Sequence, residues 1–228
     1  MPKKKQKELP KKKDIKKSIR FFTMVFLVLL SFIMTFLFYP QLPAQMASPW
    51  GLSGEANGFM PKETSAYLLP ALTAIIAVAL YFIPKLDPLQ KNIEKFSEHY
   101  ELFMINFITF FLFLQALILL WNLGVLVDFN QAIALALAIL FFSIGNLISH
   151  AKKNYFIGIR TPWTLHSEEV WDNTHAFGGK AFKLSAGIIA IGALLPQFAF
   201  FFIFFPIMIS AIATVAYSYF DYKKTTKR

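Results

Sequence analysis

Six apolar runs punctuate the chain, and they are apolar all round rather than along one stripe, the pattern of helices that face lipid instead of covering a soluble core. The first, Phe21 to Tyr39, is apolar over nineteen residues, enough to cross a hydrocarbon core of roughly 30 Å at ~1.5 Å per residue. It exceeds the apolar core of a signal peptide, and no small-x-small cleavage pattern closes it. Ser65–Ile83, Leu102–Trp121, Gln131–Ser149, Phe182–Leu195 and Phe198–Phe220 follow. The fifth run is short, and it reaches spanning length only if its helix begins near Phe177 to Lys180, with Lys180 and Lys183 reaching toward the interface. The pattern predicts an all-α integral membrane protein of six transmembrane helices with short interfacial helices between them.

Composition agrees with that class. Of 228 residues, 56% are hydrophobic, 16% are charged and 27 are Phe, far from globular usage. Absence of cysteine removes disulfides, thiolate metal sites and Cys nucleophiles. The net charge of +10 is concentrated: ten of the 23 Lys and Arg residues lie in the first twenty positions, directly before an apolar run. That arrangement suits anionic lipid headgroups, at about 1 kcal/mol per basic residue near the surface. Basic and aromatic residues do not interleave as they would on a nucleic-acid platform, so direct nucleic-acid binding is not expected.

Positive charge also sets an orientation. With both termini cytoplasmic, 22 Lys and Arg residues fall on the cytoplasmic side and only Lys62 on the other, an N-in, C-in arrangement in the plasma membrane. The expected organisation is a disordered basic cytoplasmic tail at 1–20, a first helical hairpin at 21–84 with an external Pro- and Gly-rich loop at 40–66, a cytoplasmic connector at 85–101, a four-helix region at 102–220 whose cytoplasmic motif occupies 150–181, and a basic tail at 221–228. Loop 40–66 reads as consecutive turns. In the connector, Ile93, Phe96 and Tyr100 recur at helical spacing, which suits a short interfacial helix.

Candidate chemistry is sparse. No ionisable side chain stands at the middle of a run, where ion or proton pathways place their carboxylates, and a small transporter is the weakest reading. Asn106 and Asn146 fall at similar depth on antiparallel neighbours. They predict an interhelical amide pair, worth ~0.6 kcal/mol, or the polar lining of a cavity beneath the cytoplasmic motif. Two of the four histidines, His166 and His175, stand nine residues apart beside Glu168, Glu169 and Asp172. A metal-binding helix wants two His at i and i+4, so no metal and no cofactor is expected. Ser167 reads as an N-cap with Glu168 and Glu169 in the first turn, Gly178-Gly179 as terminator or hinge, and Val170, Trp171 and Phe177 as interfacial residues. Arg160, between Gly158 and Thr161-Pro162-Trp163-Thr164, can hold a phosphate or carboxylate, stack on Trp163 or Trp171, or sit in an aromatic belt. An enzyme using Arg160, Glu168, Glu169 and His175, a hydrolase or a lipid-modifying protein, is the rival to a non-catalytic role. No triad order or glycine-rich phosphate loop supports it.

Asn154-Tyr-Phe-Ile-Gly-Ile-Arg-Thr-Pro-Trp-Thr-Leu-His-Ser-Glu-Glu-Val-Trp, followed by Thr174-His175 and Gly178-Gly179, resembles the C-terminal signature of the SdpI family of immunity membrane proteins. Leu42-Pro43, Trp50, Gly54, Gly58 and Lys62 resemble the small uncharacterised domain that usually precedes it, with Pro49 where that pattern commonly has a histidine. The likeness spans roughly residues 21 to 220. It implies protection against a secreted antimicrobial peptide toxin and, as in the family's founding operon, toxin-dependent capture of a cytoplasmic transcriptional repressor at the membrane. On that reading the external surface is Pro43, Trp50, Gly54, Gly58 and Lys62, and the cytoplasmic output motif is Asn154, Gly158, Arg160, Thr161, Trp163, Thr164, Trp171 and His175.

Overall fold

The computed structural model describes residues 12–47, 51, 57–125 and 127–226. Helix α1 runs Lys12–Phe38, followed by a one-turn 3-10 segment at Tyr39–Gln41. Strands β1 (Gln45–Ala47) and β2 (Phe59–Pro61) come next, then helices α2 (Lys62–Leu86), α3 (Gln90–Glu94), α4 (Ser97–Asn122), α5 (Phe129–His150), α6 (Pro162–His166), α7 (Glu168–Gly192) and α8 (Ala199–Thr225). Each of the six apolar runs lies mainly on one of the long helices, and the fifth extends three residues past the end of α7. Among the described residues, five segments are long and apolar enough to cross a membrane: Ile15–Gln41, Lys62–Leu86, Ser97–Asn122, Phe129–His150 and Pro196–Thr225. Helix α7 is the exception to the expected six. Its first sixteen residues carry Glu168, Glu169, Asp172, Lys180 and Lys183, which leaves too short an apolar remainder.

Two differences from the sequence expectation concern the ends of the first hairpin. Residues 12–20, expected in a disordered tail, continue α1 outward by more than two turns. Lysine is a good helix former, and Arg20 is anchored by ion pairs to Glu98 and to Glu101, the latter at 3.0 Å. In the expected turn loop, β1 and β2 pair antiparallel with Met46 opposite Met60. Met46 and Ala47 are fully buried, and Met46 packs with Leu42, Ala66 and Leu119. The backbone amide of Ala47 donates to Asn122 Oδ1 at 2.8 Å, so the ribbon is fastened to the last turn of α4.

The connector between α2 and α4 also departs from expectation. Ile93, Phe96 and Tyr100 face the protein rather than the lipid interface, in a core with Met24, Met104, Ile108, Leu147, Ile157 and Trp171. Tyr100 donates its hydroxyl to the Leu80 carbonyl at 2.7 Å, which discharges its one polar group inside that core.

Helix α7 packs most closely with α5 and α8. Gly178-Gly179 neither ends nor breaks it; the helix runs straight through. A Cβ on Gly179 would sit 2.9 Å from the Gly145 carbonyl oxygen of α5, and one on Gly178 would sit 2.9 Å from Thr214 Cγ2 of α8. At the two glycines α7 therefore approaches α5 and α8 closely, the use that small residues serve between membrane helices. The amide expected between Asn106 and Asn146 is replaced by another contact across the same helices: Asn106 Nδ2 donates to Ser143 Oγ at 3.0 Å.

Candidate functional site

The stretch from Ala151 to Thr161 joins α5 to α6 without regular structure, so its backbone groups need partners from elsewhere. Asn154 supplies four of them. Its Nδ2 donates to the carbonyls of Lys152 and Ile157, both at 2.8 Å, and its Oδ1 accepts from the amides of Phe156 at 2.9 Å and Ile157 at 2.6 Å. The side chain is fully buried, and an asparagine in this role acts as a local template for the turn.

Gly158 follows with φ +114°, a backbone region closed to side chains. A Cβ there would overlap His175 Nε2 and lie 3.3 Å from Trp171 Cζ2. His175 is buried and stacks on Trp171 with ring centroids 4.0 Å apart. The Ile159 amide donates to His175 Nε2 at 3.0 Å, so that nitrogen is the acceptor, and Nδ1 carries the proton toward the Trp171 carbonyl at 2.7 Å. Burial pushes the imidazole down to about 4, and the Trp171 carbonyl and Asp172 only partly oppose that shift. His175 is a neutral, doubly bonded structural ring; neither nitrogen has a lone pair left for a metal or a substrate proton. Trp171 is fully buried, its Nε1 donating to the Ala151 carbonyl at 2.8 Å.

Thr161 and Thr164 form a reciprocal capping box at the start of α6, and Thr161 Oγ1 also donates to Ser218 Oγ of α8 at 3.1 Å. Trp163 meets Tyr219 of α8 edge-on at 5.1 Å between centroids. Arg160 is exposed and donates to the Tyr155 carbonyl at 2.7 Å; its guanidinium contacts neither Trp163 nor Trp171. Ser167 caps α7 as the sequence predicts, accepting from the Val170 amide at 3.3 Å. Val170 and Trp171, expected at the interface, are buried within the protein, and Phe177 stacks on Tyr217 at 4.5 Å. Arg160 and Glu168 are exposed while His175 is enclosed, so the three do not converge on a common point. His166 sits on α6 against Tyr222 at 5.6 Å, on a different helix from His175.

Sequence reasoning missed the groups that hold this motif from the connector. Buried Asp87 accepts from the Leu89 amide at 2.7 Å and from the Tyr155 amide at 2.8 Å. Asn92 Nδ2 donates to the Lys153 carbonyl at 2.9 Å. Asp87-Pro88 is a turn-forming pair, which signals the first Asp87 bond but not the second. Beside the motif, a crevice of about 420 Å³ is lined by Lys95, His99, His150, Lys152 and Asp172 among others. His99 and His150 stack within it at 3.6 Å, and Lys152 pairs with Asp172 at 3.1 Å.

On the opposite end of the helices, Pro43 is exposed and Gly58 is half-buried. Lys62 donates to the Leu42 carbonyl at 3.0 Å and lies 4.3 Å above the Tyr39 ring. Trp50 and Gly54 lie outside the described residues.

Long apolar helices tied together by a buried aromatic and amide motif at one end define a multi-pass membrane protein whose signature residues build a scaffold. Comparison with known proteins finds two family segments and a distant relative. Residues 150–218 match the SdpI/YfhL protein family, a segment that opens at the end of α5 and closes at Ser218, the partner of Thr161. Residues 26–74 match a domain of unknown function, DUF1648. The C-terminal segment is thus similar to the SdpI/YfhL family, and the segment ahead of it to that domain. It is 26% identical over 201 residues to the immunity protein SdpI of Bacillus subtilis strain 168, across 88% of this chain and 94% of the relative. No solved structure matches.

Proposed function

We propose that the chain is a non-enzymatic immunity protein of the plasma membrane that protects against a secreted antimicrobial peptide and relays its presence to a cytoplasmic repressor. The observation that carries this reading is the similarity to the immunity protein SdpI through 94% of that protein's length, with the two family segments in order along one chain. The proposed topology is N-in and C-in with six crossings, the second half of α7 completing the fifth, so that loop 40–66 is external and the motif at 150–181 cytoplasmic. Positive-charge placement supports it. The domain divisions expected from the sequence go with it, with the first basic tail shortened to the residues before α1.

In this reading Pro43, Trp50, Gly54, Gly58 and Lys62 form the surface that meets the peptide. In the output motif the roles divide: Asn154, Gly158, Thr161, Thr164, Trp171 and His175 hold the shape, and Arg160 and Trp163 present it. Geometry favours this over the enzymatic rival, because the histidine that would act as base has both nitrogens engaged inside the fold.

The test is survival. Cells lacking their own immunity protein and expressing this chain are challenged with secreted peptide toxins, beside cells carrying an empty vector. Enhanced survival is expected, and it falls when Trp171→Ala removes the motif's buried ring. A fluorescently tagged candidate repressor moves to the membrane only with toxin present. Equal survival with and without the chain, at verified membrane expression, would sink the immunity reading.

A further inference from the structure

Helices α7 and α8 leave between them a lipid-facing groove of about 610 Å³, well inside the range of small-molecule sites, ~300–1,000 Å³. Leu184, Ile188, Phe201, Phe205, Ile209 and Ala213 supply most of its wall. Two hydroxyls lie in that wall and neither is available to a ligand as a donor. Ser185 Oγ donates to the Pro206 carbonyl at 2.9 Å, and Ser210 Oγ donates to the Ile207 carbonyl at 3.0 Å. The groove wall is therefore apolar along its length.

One end is different. Phe177, stacked on Tyr217, and Lys180 stand where the groove reaches the motif side. Lys180 is exposed, and among the described residues its ammonium makes no ion pair or hydrogen bond within the chain. Lys183, one turn on, is committed elsewhere, against Phe142 of α5 at 5.9 Å. From Phe201 to Ala213 the groove follows α8 for about 18 Å, at ~1.5 Å per residue. That is close to one leaflet of a ~30 Å hydrocarbon core. A cation at the headgroup level and one leaflet's depth of hydrocarbon below it are the two halves of a phospholipid.

We infer that this groove binds one anionic phospholipid from the motif-side leaflet, an acyl chain lying between α7 and α8 and the headgroup phosphate held by Lys180. The lipid fills the space that the short apolar remainder of α7 leaves open and ties α7 to α8 where Gly178 has already brought them together. This assignment is independent of the immunity function.

The chain is purified in neutral detergent, stripped of lipid, and titrated with phosphatidylglycerol or phosphatidylcholine, with bound lipid counted by native mass spectrometry. One equivalent of phosphatidylglycerol is expected to bind about fivefold more tightly than phosphatidylcholine, the factor that ~1 kcal/mol per basic residue gives. Lys180→Gln removes that preference and leaves phosphatidylcholine binding unchanged; Lys180→Arg keeps it. Ala213→Phe fills the groove and abolishes binding of both lipids. Because the chain has no cysteine, Ile188→Cys carries a single fluorophore and serves if Ala213→Phe fails to fold: acyl-chain-brominated phosphatidylglycerol quenches it more strongly than the brominated phosphatidylcholine. Equal affinities of the two lipids for the unaltered chain, or an unchanged preference in Lys180→Gln, overturns the assignment. So does disulfide-linked dimerisation through Ile188→Cys, which makes a second copy the occupant.

Discussion

Replacing Gly158 by alanine adds a methyl group on a backbone at φ +114°, and two costs follow. The conformation itself is closed to a side chain and costs about 1–3 kcal/mol. The new Cβ also overlaps His175 Nε2 and stands 3.1 Å from Cδ2, so the imidazole must leave its place against the Ile159 amide, now 3.0 Å away. A buried amide left without its acceptor costs about 1–3 kcal/mol. Together the loss is about 2–6 kcal/mol, or a fall in Tm of about 4–24 °C for a chain of this length. Thermal unfolding in detergent, followed by circular dichroism and by the fluorescence of buried Trp171, measures it. Gly187→Ala is the matched control: it lies in α7 with open space where its Cβ would go, and alanine there gains up to about 1 kcal/mol in helix propensity. If Gly158→Ala melts within about 2 °C of the unaltered chain, neither the strain nor the ring contact is what holds this motif.

Three further outcomes are expected. His175 titrates near 4 when folded against 6.5 when unfolded, so below pH 6.5 the unfolded chain binds more protons. The stability this ring contributes is complete above about pH 6.5 and is lost by about 3 kcal/mol as pH falls toward 4; denaturant unfolding from pH 7 to 4.5 shows the slope, and His175→Gln flattens it. Gly179→Ala pushes against the Gly145 carbonyl of α5 and costs about 1–3 kcal/mol, read as a lower Tm beside an unaffected Gly187→Ala. In intact cells a membrane-impermeant maleimide labels Val125→Cys, between α4 and α5, and leaves Glu168→Cys unlabelled until the membrane is opened; the reverse pattern refutes the proposed topology.

Five long helices were legible because lipid exposure makes a helix apolar on every side, a signal that needs no knowledge of neighbours; the fifth run marked only the second half of α7. The cap at Ser167 was legible for the opposite reason: it is a local hydrogen bond, complete within four residues. What stayed hidden depends on residues far apart in sequence. Gly178-Gly179 reads locally as a stop, and only the closeness of Gly145 and Thr214 makes it a packing face. Ile93, Phe96 and Tyr100 have the spacing of an interfacial helix, but whether lipid or protein covers them is decided by α1, α5 and Trp171. His175 sits among acids and looks reactive, and it is the Ile159 amide, held out by Gly158, that occupies its free nitrogen. Asp87 gives no sign of Tyr155, 68 positions on. The paired strands around Met46 were masked by the prolines and glycines beside them, which favoured a reading of turns alone.

Asn154 gives the motif a division of labour between backbone and side chains. Its amide takes the turn's hydrogen bonds onto one buried side chain, so the path of the chain from Lys152 to Ile157 does not depend on which side chains Tyr155 and Phe156 carry. Those two rings point outward, 51% and 41% exposed, and Arg160 leans on the Tyr155 carbonyl rather than on its ring. The outer chemistry of the turn is thus interchangeable at little cost to the fold. Substitutions at Tyr155 and Phe156 therefore change what this face presents while the frame stays, as a single handle accepts different blades.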